Sequence, residues 1–115
     1  MTPADRLRRL LNEPGCLTMP CCFDGLSAKL IAGSGFKLTF MSGFAVSATR
    51  LGLPDSGLIS FAEMVDSLRN CCAAAGSLPV IGDGDTGYGN ALNVQRTVVE
   101  YARAGAAAVM IEDQV

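Results

Sequence analysis

The sequence predicts an α/β fold built on a parallel sheet, and three observations carry that expectation. Half of the 115 residues are hydrophobic while aromatics make up only 6%, so the apolar content is mainly aliphatic. It falls in short runs rather than in alternating patterns, the form of strands buried on both faces. Thirteen glycines and a series of helix-start signals divide those runs, so strands and helices alternate along the chain.

Thr2-Pro3-Ala4-Asp5 reads as a helix start, with Thr2 as N-cap, proline at the first helical position and an acid in the first turn. That helix runs through Leu11 and stops near Glu13-Pro14-Gly15. The apolar segment Cys16-Leu17-Thr18-Met19-Pro20 is the expected first strand. Asp24 caps a helix over residues 25–32, closed by Gly33-Ser34-Gly35, and Lys37-Leu38-Thr39-Phe40-Met41 follows as the second strand. Residues 44–59 read as a long loop. Ser60 and Glu63 form a capping box, each answering an exposed backbone N–H. The helix they open runs to Ala75, with Gly76 as its left-handed stop. Leu78-Pro79-Val80-Ile81 is the third strand, Asn90 starts a helix through Ala104 that Gly105 ends, and residues 107–111 form the fourth strand. One helix, three strand–helix units and a last strand give a single domain with a parallel sheet and right-handed crossovers.

Ligands of parallel α/β folds sit at the carboxyl ends of the strands. Just past the second strand stand Ser42-Gly43, past the third Asp83 and Asp85, and past the fourth Glu112 and Asp113, while the loop after the second strand adds Asp55. No lysine, arginine or histidine stands among these strand-end residues. Carboxylates gathered on one face repel and force some of their number to protonate. A divalent cation is the simplest remedy, and an all-oxygen donor set points to Mg²⁺ or Mn²⁺.

Two other readings compete. Gly82, Gly84 and Gly87 satisfy the dinucleotide fingerprint between a strand and a helix, and Glu112 could serve a ribose. Asp83 and Asp85 would then face a pyrophosphate, where like charges ~4 Å apart cost about 4 kcal/mol at an effective dielectric near 20. The second reading is plain turn chemistry: aspartates bonding nearby amides, with Asp55 a turn residue, Asp24 a cap, Asp113 on the surface, and Thr86 and Tyr88 as loop packing. A calcium loop counted from Asp83 fails, because Tyr88 and Val94 stand where glycine and glutamate are required.

The ordered set SGF at 42–44, LGLPDSG at 51–57, GDGDTGYGNALNVQRTV at 82–98 and AGAAAVMIEDQV at 104–115 resembles the isocitrate lyase/phosphoenolpyruvate mutase superfamily. Its nearest branch is that of the carboxyvinyl-carboxyphosphonate phosphorylmutase-like and 2-methylisocitrate lyase-like proteins. The resemblance implies a (β/α)₈ barrel and Mg²⁺-dependent cleavage or formation of C–C or P–C bonds in small 2-oxo or 2-hydroxy acids, through an enolpyruvate-like intermediate. It implies Asp83 as direct magnesium ligand, with Asp55, Asp85 and Glu112 holding the ion's waters. Ser42, Gly43 and the Phe44 backbone would bind the substrate's carboxylate or 2-oxo group. Gly84 departs from the alanine of many relatives. A Lys-x-Cys-Gly-His gating loop and a later arginine, both features of the family, have no counterpart in these 115 residues, and none of the cysteines takes a catalytic role. A full barrel takes ~250 residues. The expectation is therefore the first half of a (β/α)₈ TIM-type barrel over residues 1–115, a truncated unit inactive by itself. The alternative is a non-catalytic half-barrel whose open sheet edges lead it to self-associate or bind a partner.

The net charge of −2 gives nucleic acid no basic stripe, and no apolar run reaches the ~18–20 residues that span a bilayer. The expected partners are thus a small carboxylic acid and further copies of the chain, without nucleic acid or membrane. Five cysteines, an odd number without C-x-x-C spacing, and the lack of histidine argue against zinc and for a reducing, cytoplasmic setting. An organelle is the alternative where a targeting extension has been removed.

Overall fold

The computed structural model describes residues 1–114; Val115, which ends the fourth motif quoted above, lies outside them. Helix α1 spans Pro3–Leu11, β1 Cys21–Cys22, α2 Gly25–Gly33, β2 Thr39–Met41, α3 Gly43–Val46, a π-helical turn Ser47–Leu51, α4 Phe61–Ala75, β3 Val80–Asp83, α5 Ala91–Ala104 and β4 Ala108–Met110. All strand pairs are parallel, in the order β1-β2-β3-β4. A parallel sheet whose strands follow chain order, each crossover a helix, is how a (β/α)₈ barrel is wound.

The helices begin where local chemistry dictates. Thr2, Asp24, Ser60 and Asn90 each accept a backbone N–H in the first turn and form capping boxes with Asp5, Ser27, Glu63 and Asn93. The strands differ more from expectation. Residues 16–20 stay outside the sheet. Pro20 has no N–H to donate; its carbonyl alone joins in, accepting from Phe40 N at 3.2 Å and Thr39 Oγ1 at 2.8 Å, so the ladder starts at Cys21. The third strand lies later than its apolar run suggests, and it takes in Asp83 as its last residue.

The long loop expected at 44–59 is half helical. Ser42 Oγ caps α3, accepting from Ala45 N at 3.4 Å, and the π-helical turn ends at Gly52 in the left-handed region. Arg50 ties that turn to α4, donating to Asp66 Oδ2 at 2.7 Å, Ser67 Oγ at 3.2 Å and Glu63 O at 3.3 Å.

The two faces of the sheet are covered unequally. Cys22, Met41 and Val80 are buried under α2, α4 and α5 with Leu68, Cys71 and Tyr101. The register puts Cys21, Phe40, Ile81 and Ala108 in one row on the other face, which is half-covered, and Asp83 sits one step further along that face beside Met110. Leu7 of α1 seals its lower end against Leu38 and Ala107. All five cysteines are free thiols, Cys22 and Cys71 fully buried.

Candidate metal centre at the carboxyl ends of the strands

Asp83 enters the site as the last residue of β3, held on both carboxylate oxygens. Oδ2 accepts from Gly43 N at 2.8 Å and Oδ1 from Asp85 N at 3.0 Å. Each oxygen keeps a lone pair, so the carboxylate is oriented without being used up. The approach to Gly43 requires glycine. A Cβ there would stand 2.8 Å from Asp83 Oδ2 and 3.3 Å from Met64 Cε. Beneath the strand, Tyr101 of α5 donates its hydroxyl to the Asp83 carbonyl at 2.7 Å, and its ring fills the space that a side chain at Gly82 would need.

The next residues are bound to β4. Gly84 N donates to Met110 O and Glu112 N to Asp85 O, both at 2.8 Å, which continues the ladder beyond the regular strands and carries Glu112 toward Asp85. Asp85 and Tyr88 have φ of +48° and +63°, the left-handed region that non-glycine residues seldom occupy.

Asp55, Asp83, Asp85 and Glu112 line one cavity of about 340 Å³, together with Gly43, Thr86 and Gln114 among others. No residue in its wall is basic. Burial raises the Asp85 carboxyl above the ordinary carboxylate range, and the neighbouring charges of Asp83 and Asp55 push it the same way. Burial likewise pushes the Tyr101 phenol up to about 12 and the Tyr88 phenol higher still. The Tyr88 hydroxyl is buried and has no hydrogen-bond partner among the described residues.

The four acids named from the sequence thus surround one space. Of the three residues assigned to substrate, Gly43 lines it; Ser42 caps α3 beside it, and the Phe44 side chain is exposed. Tyr101 and Thr97 stand behind the site without being singled out by any sequence motif. Their signal was faint: polar groups in a helix whose positions turn out fully buried. Among the described residues, no three His, Cys, Asp or Glu side chains are gathered tightly enough to chelate one ion directly.

The comparisons with known proteins bear on this geometry. The family model described as phosphoenolpyruvate phosphomutase matches residues 7–115. The chain belongs to that family. It is 50% identical over 109 residues to the chloroplastic carboxyvinyl-carboxyphosphonate phosphorylmutase of Arabidopsis thaliana, covering 95% of this chain and 32% of that protein. It superposes on the crystal structure of 2,3-dimethylmalate lyase, a PEP mutase/isocitrate lyase superfamily member, with a TM-score of 0.91 and 39% identity, covering 100% of this chain and 41% of the other. Phosphonopyruvate hydrolase, crystallised with oxalate and Mg²⁺, gives a TM-score of 0.92 at 36% identity, covering 100% and 40%. The chain therefore spans roughly a third to two-fifths of these relatives, and its four strands are the first half of a (β/α)₈ barrel. No helix of the described residues is long and apolar enough to cross a membrane.

Proposed function

We propose that this chain carries the cation-binding part of a Mg²⁺-dependent lyase or mutase site, acting on small 2-oxo or 2-hydroxy carboxylic acids by cleaving or forming C–C or P–C bonds through an enolpyruvate-like intermediate. One observation carries the reading: four carboxylates from three successive strand–loop segments line a single cavity without a basic residue. The Mg²⁺ and oxalate of phosphonopyruvate hydrolase, a structure matched along the whole chain, support it.

Asp83 would ligate the ion directly and Asp55, Asp85 and Glu112 would hold its waters; Mn²⁺ fits the same donors. The ion's contribution is neutralisation of negative charge on the substrate's oxygens. The residues around it orient and bind. Gly43 and Asp85 amides fix the Asp83 carboxylate. Ser42 Oγ accepts from Ala45 N, so its own O–H stays free to donate to a substrate carboxylate or 2-oxo group beside Gly43 and Phe44. The 115 residues are expected to bind the ion without turning substrate over. In this reading residues 1–115 are the N-terminal half-barrel unit of a larger domain.

Titration of the chain with MgCl₂ and with NAD in a calorimeter tests the proposal. Mg²⁺ binding without NAD binding is expected; NAD binding without metal would sink it. The Asn90 side chain already accepts from the Leu92 and Asn93 amides, which a pyrophosphate at the start of α5 would need. A second reading, self-association of a non-catalytic half-barrel, is favoured by exposed Met110 and Ile111 at the β4 edge. Size-exclusion chromatography with a lyase assay separates the two, since a metal-dependent active dimer would contradict the expected lack of turnover.

A further inference from the structure

Asn93, Thr97 and Tyr101 stand four residues apart on α5, which aligns them on one face of the helix. Each holds a different part of the backbone between β3 and α5. Asn93 Oδ1 accepts from Asn90 N at 3.0 Å. Thr97 Oγ1 lies 2.9 Å from the Gly87 carbonyl and 2.9 Å from that of Asn93, sharing its one hydrogen between them. Tyr101 donates to the Asp83 carbonyl at 2.7 Å. The contacts run from the end of the loop back to its beginning, and Val94 presses against Gly87 between them.

The loop so held is strained. The positive φ of Asp85 and Tyr88 persists only where the surroundings enforce it. Thr97 and Tyr101 are each 1% exposed, so neither hydroxyl can be replaced by water without rearrangement. Tyr101 also supports Gly82 from below while Gly43 and Asp85 grip the Asp83 carboxylate from above. The last residue of β3 is thereby fixed at its carbonyl and at its side chain.

We propose that Thr97 and Tyr101 are positioning residues, through which α5 holds the loop of residues 83–90 in the conformation that presents Asp83 and Asp85 to a divalent cation. The inference rests on the cation reading above and adds to it the device that sets the geometry. Neither residue lines the cavity.

Two measurements on the full chain test it: calorimetric titration with MgCl₂, and amide hydrogen exchange at Gly43 and Asp85, whose N–H groups donate to Asp83. Tyr101→Phe and Thr97→Val are each expected to weaken Mg²⁺ binding about tenfold, as loss of a ligand-orienting hydrogen bond does, and to speed exchange at both amides. Thr97→Ser, which keeps the hydroxyl, should restore both. Unchanged affinity and exchange in the folded variants would overturn the proposal, as would weakened binding with exchange unaltered. Should Thr97→Val fail to fold, Tyr101→Phe decides, since it removes one oxygen and keeps the ring against Gly82. If the unaltered chain takes up no Mg²⁺, the cation reading falls, and amide exchange alone decides whether α5 positions Asp83.

Discussion

Asp83 and Asp55 line the same cavity from loops built in opposite ways. The segment from Asp83 to Asn90 is bound on every side: to β4 through Gly84 and Glu112, to α3 through Gly43, and to α5 through Thr97 and Tyr101. The segment that carries Asp55 is exposed from Gly52 to Leu58; Gly52 N and Leu53 N tie its start to Ala48 O and Ser47 O, and beyond them Ser56 bonds only to Pro54 O, its N–H at 3.0 Å. Both loops bring a carboxylate, but only one is preorganised. The rigid loop carries backbone strain at Asp85 and Tyr88 and the mutual repulsion of Asp83 and Asp85. The open loop shares in that repulsion through Asp55 but has no non-glycine residue at positive φ.

The largest test of that contrast is Asp83→Ala. It removes the expected direct ligand together with the acceptor for two backbone amides. Mg²⁺ binding should disappear from calorimetry; retained affinity would reverse the roles of the two loops. Gly43→Ala comes next, because its Cβ would meet the Asp83 carboxylate at 2.8 Å. A stability loss of about 1–3 kcal/mol in urea melts is expected, along with weaker Mg²⁺ binding. A variant as stable as the parent would mean that the rigid loop yields more readily than its bonding suggests.

Asp55→Ala should do less. A several-fold loss of Mg²⁺ affinity is expected, well short of the Asp83 effect, with stability unchanged within about 0.5 kcal/mol because the residue is exposed. A marked drop in the melting temperature would show that the open loop is held by contacts of its own. The smallest effect belongs to Glu63, which caps α4 just beyond that loop. Hydrogen bonds from the Ser60 amide and hydroxyl hold its carboxyl below the ordinary value. A depressed folded-state pKa gives stability that is present above the unfolded value and is lost as pH falls through the folded one. Glu63→Gln should therefore flatten the acid side of the stability profile slightly. An unaltered slope would show that the Glu63 charge adds nothing to the hydrogen bonds that a glutamine keeps.

The helices were legible residue by residue, since a cap is a contact between neighbours three positions apart. Thr2, Asp24, Ser60 and Asn90 need nothing distant to do their work. The strand ends were not, because a ladder begins where both partners have groups to pair. Pro20 shortens β1 at one edge, and β3 extends to Asp83 because β4 continues alongside it, with Met110 opposite Asp83. The helical stretch after Ser42 escaped notice because Gly43 follows the cap and small and hydroxyl residues dilute the apolar pattern. Ser42 before it and Gly52 after it were the available signs.

Much the same division holds at the site. Its acids were readable as a set because the parallel-sheet rule places every strand's carboxyl end on one side, so their chemistry follows from order along the chain. The sequence by itself determined the alternation of strands and helices, the helix starts and the carboxylate-rich character of the candidate site. Only the tertiary structure decided which amides hold Asp83, that Gly43 must lack a side chain, and that Thr97 and Tyr101 reach back 10 and 18 residues to secure the loop. Those contacts depend on how α5 packs against β3. Packing sums many weak, non-local terms, and no short stretch of residues encodes it.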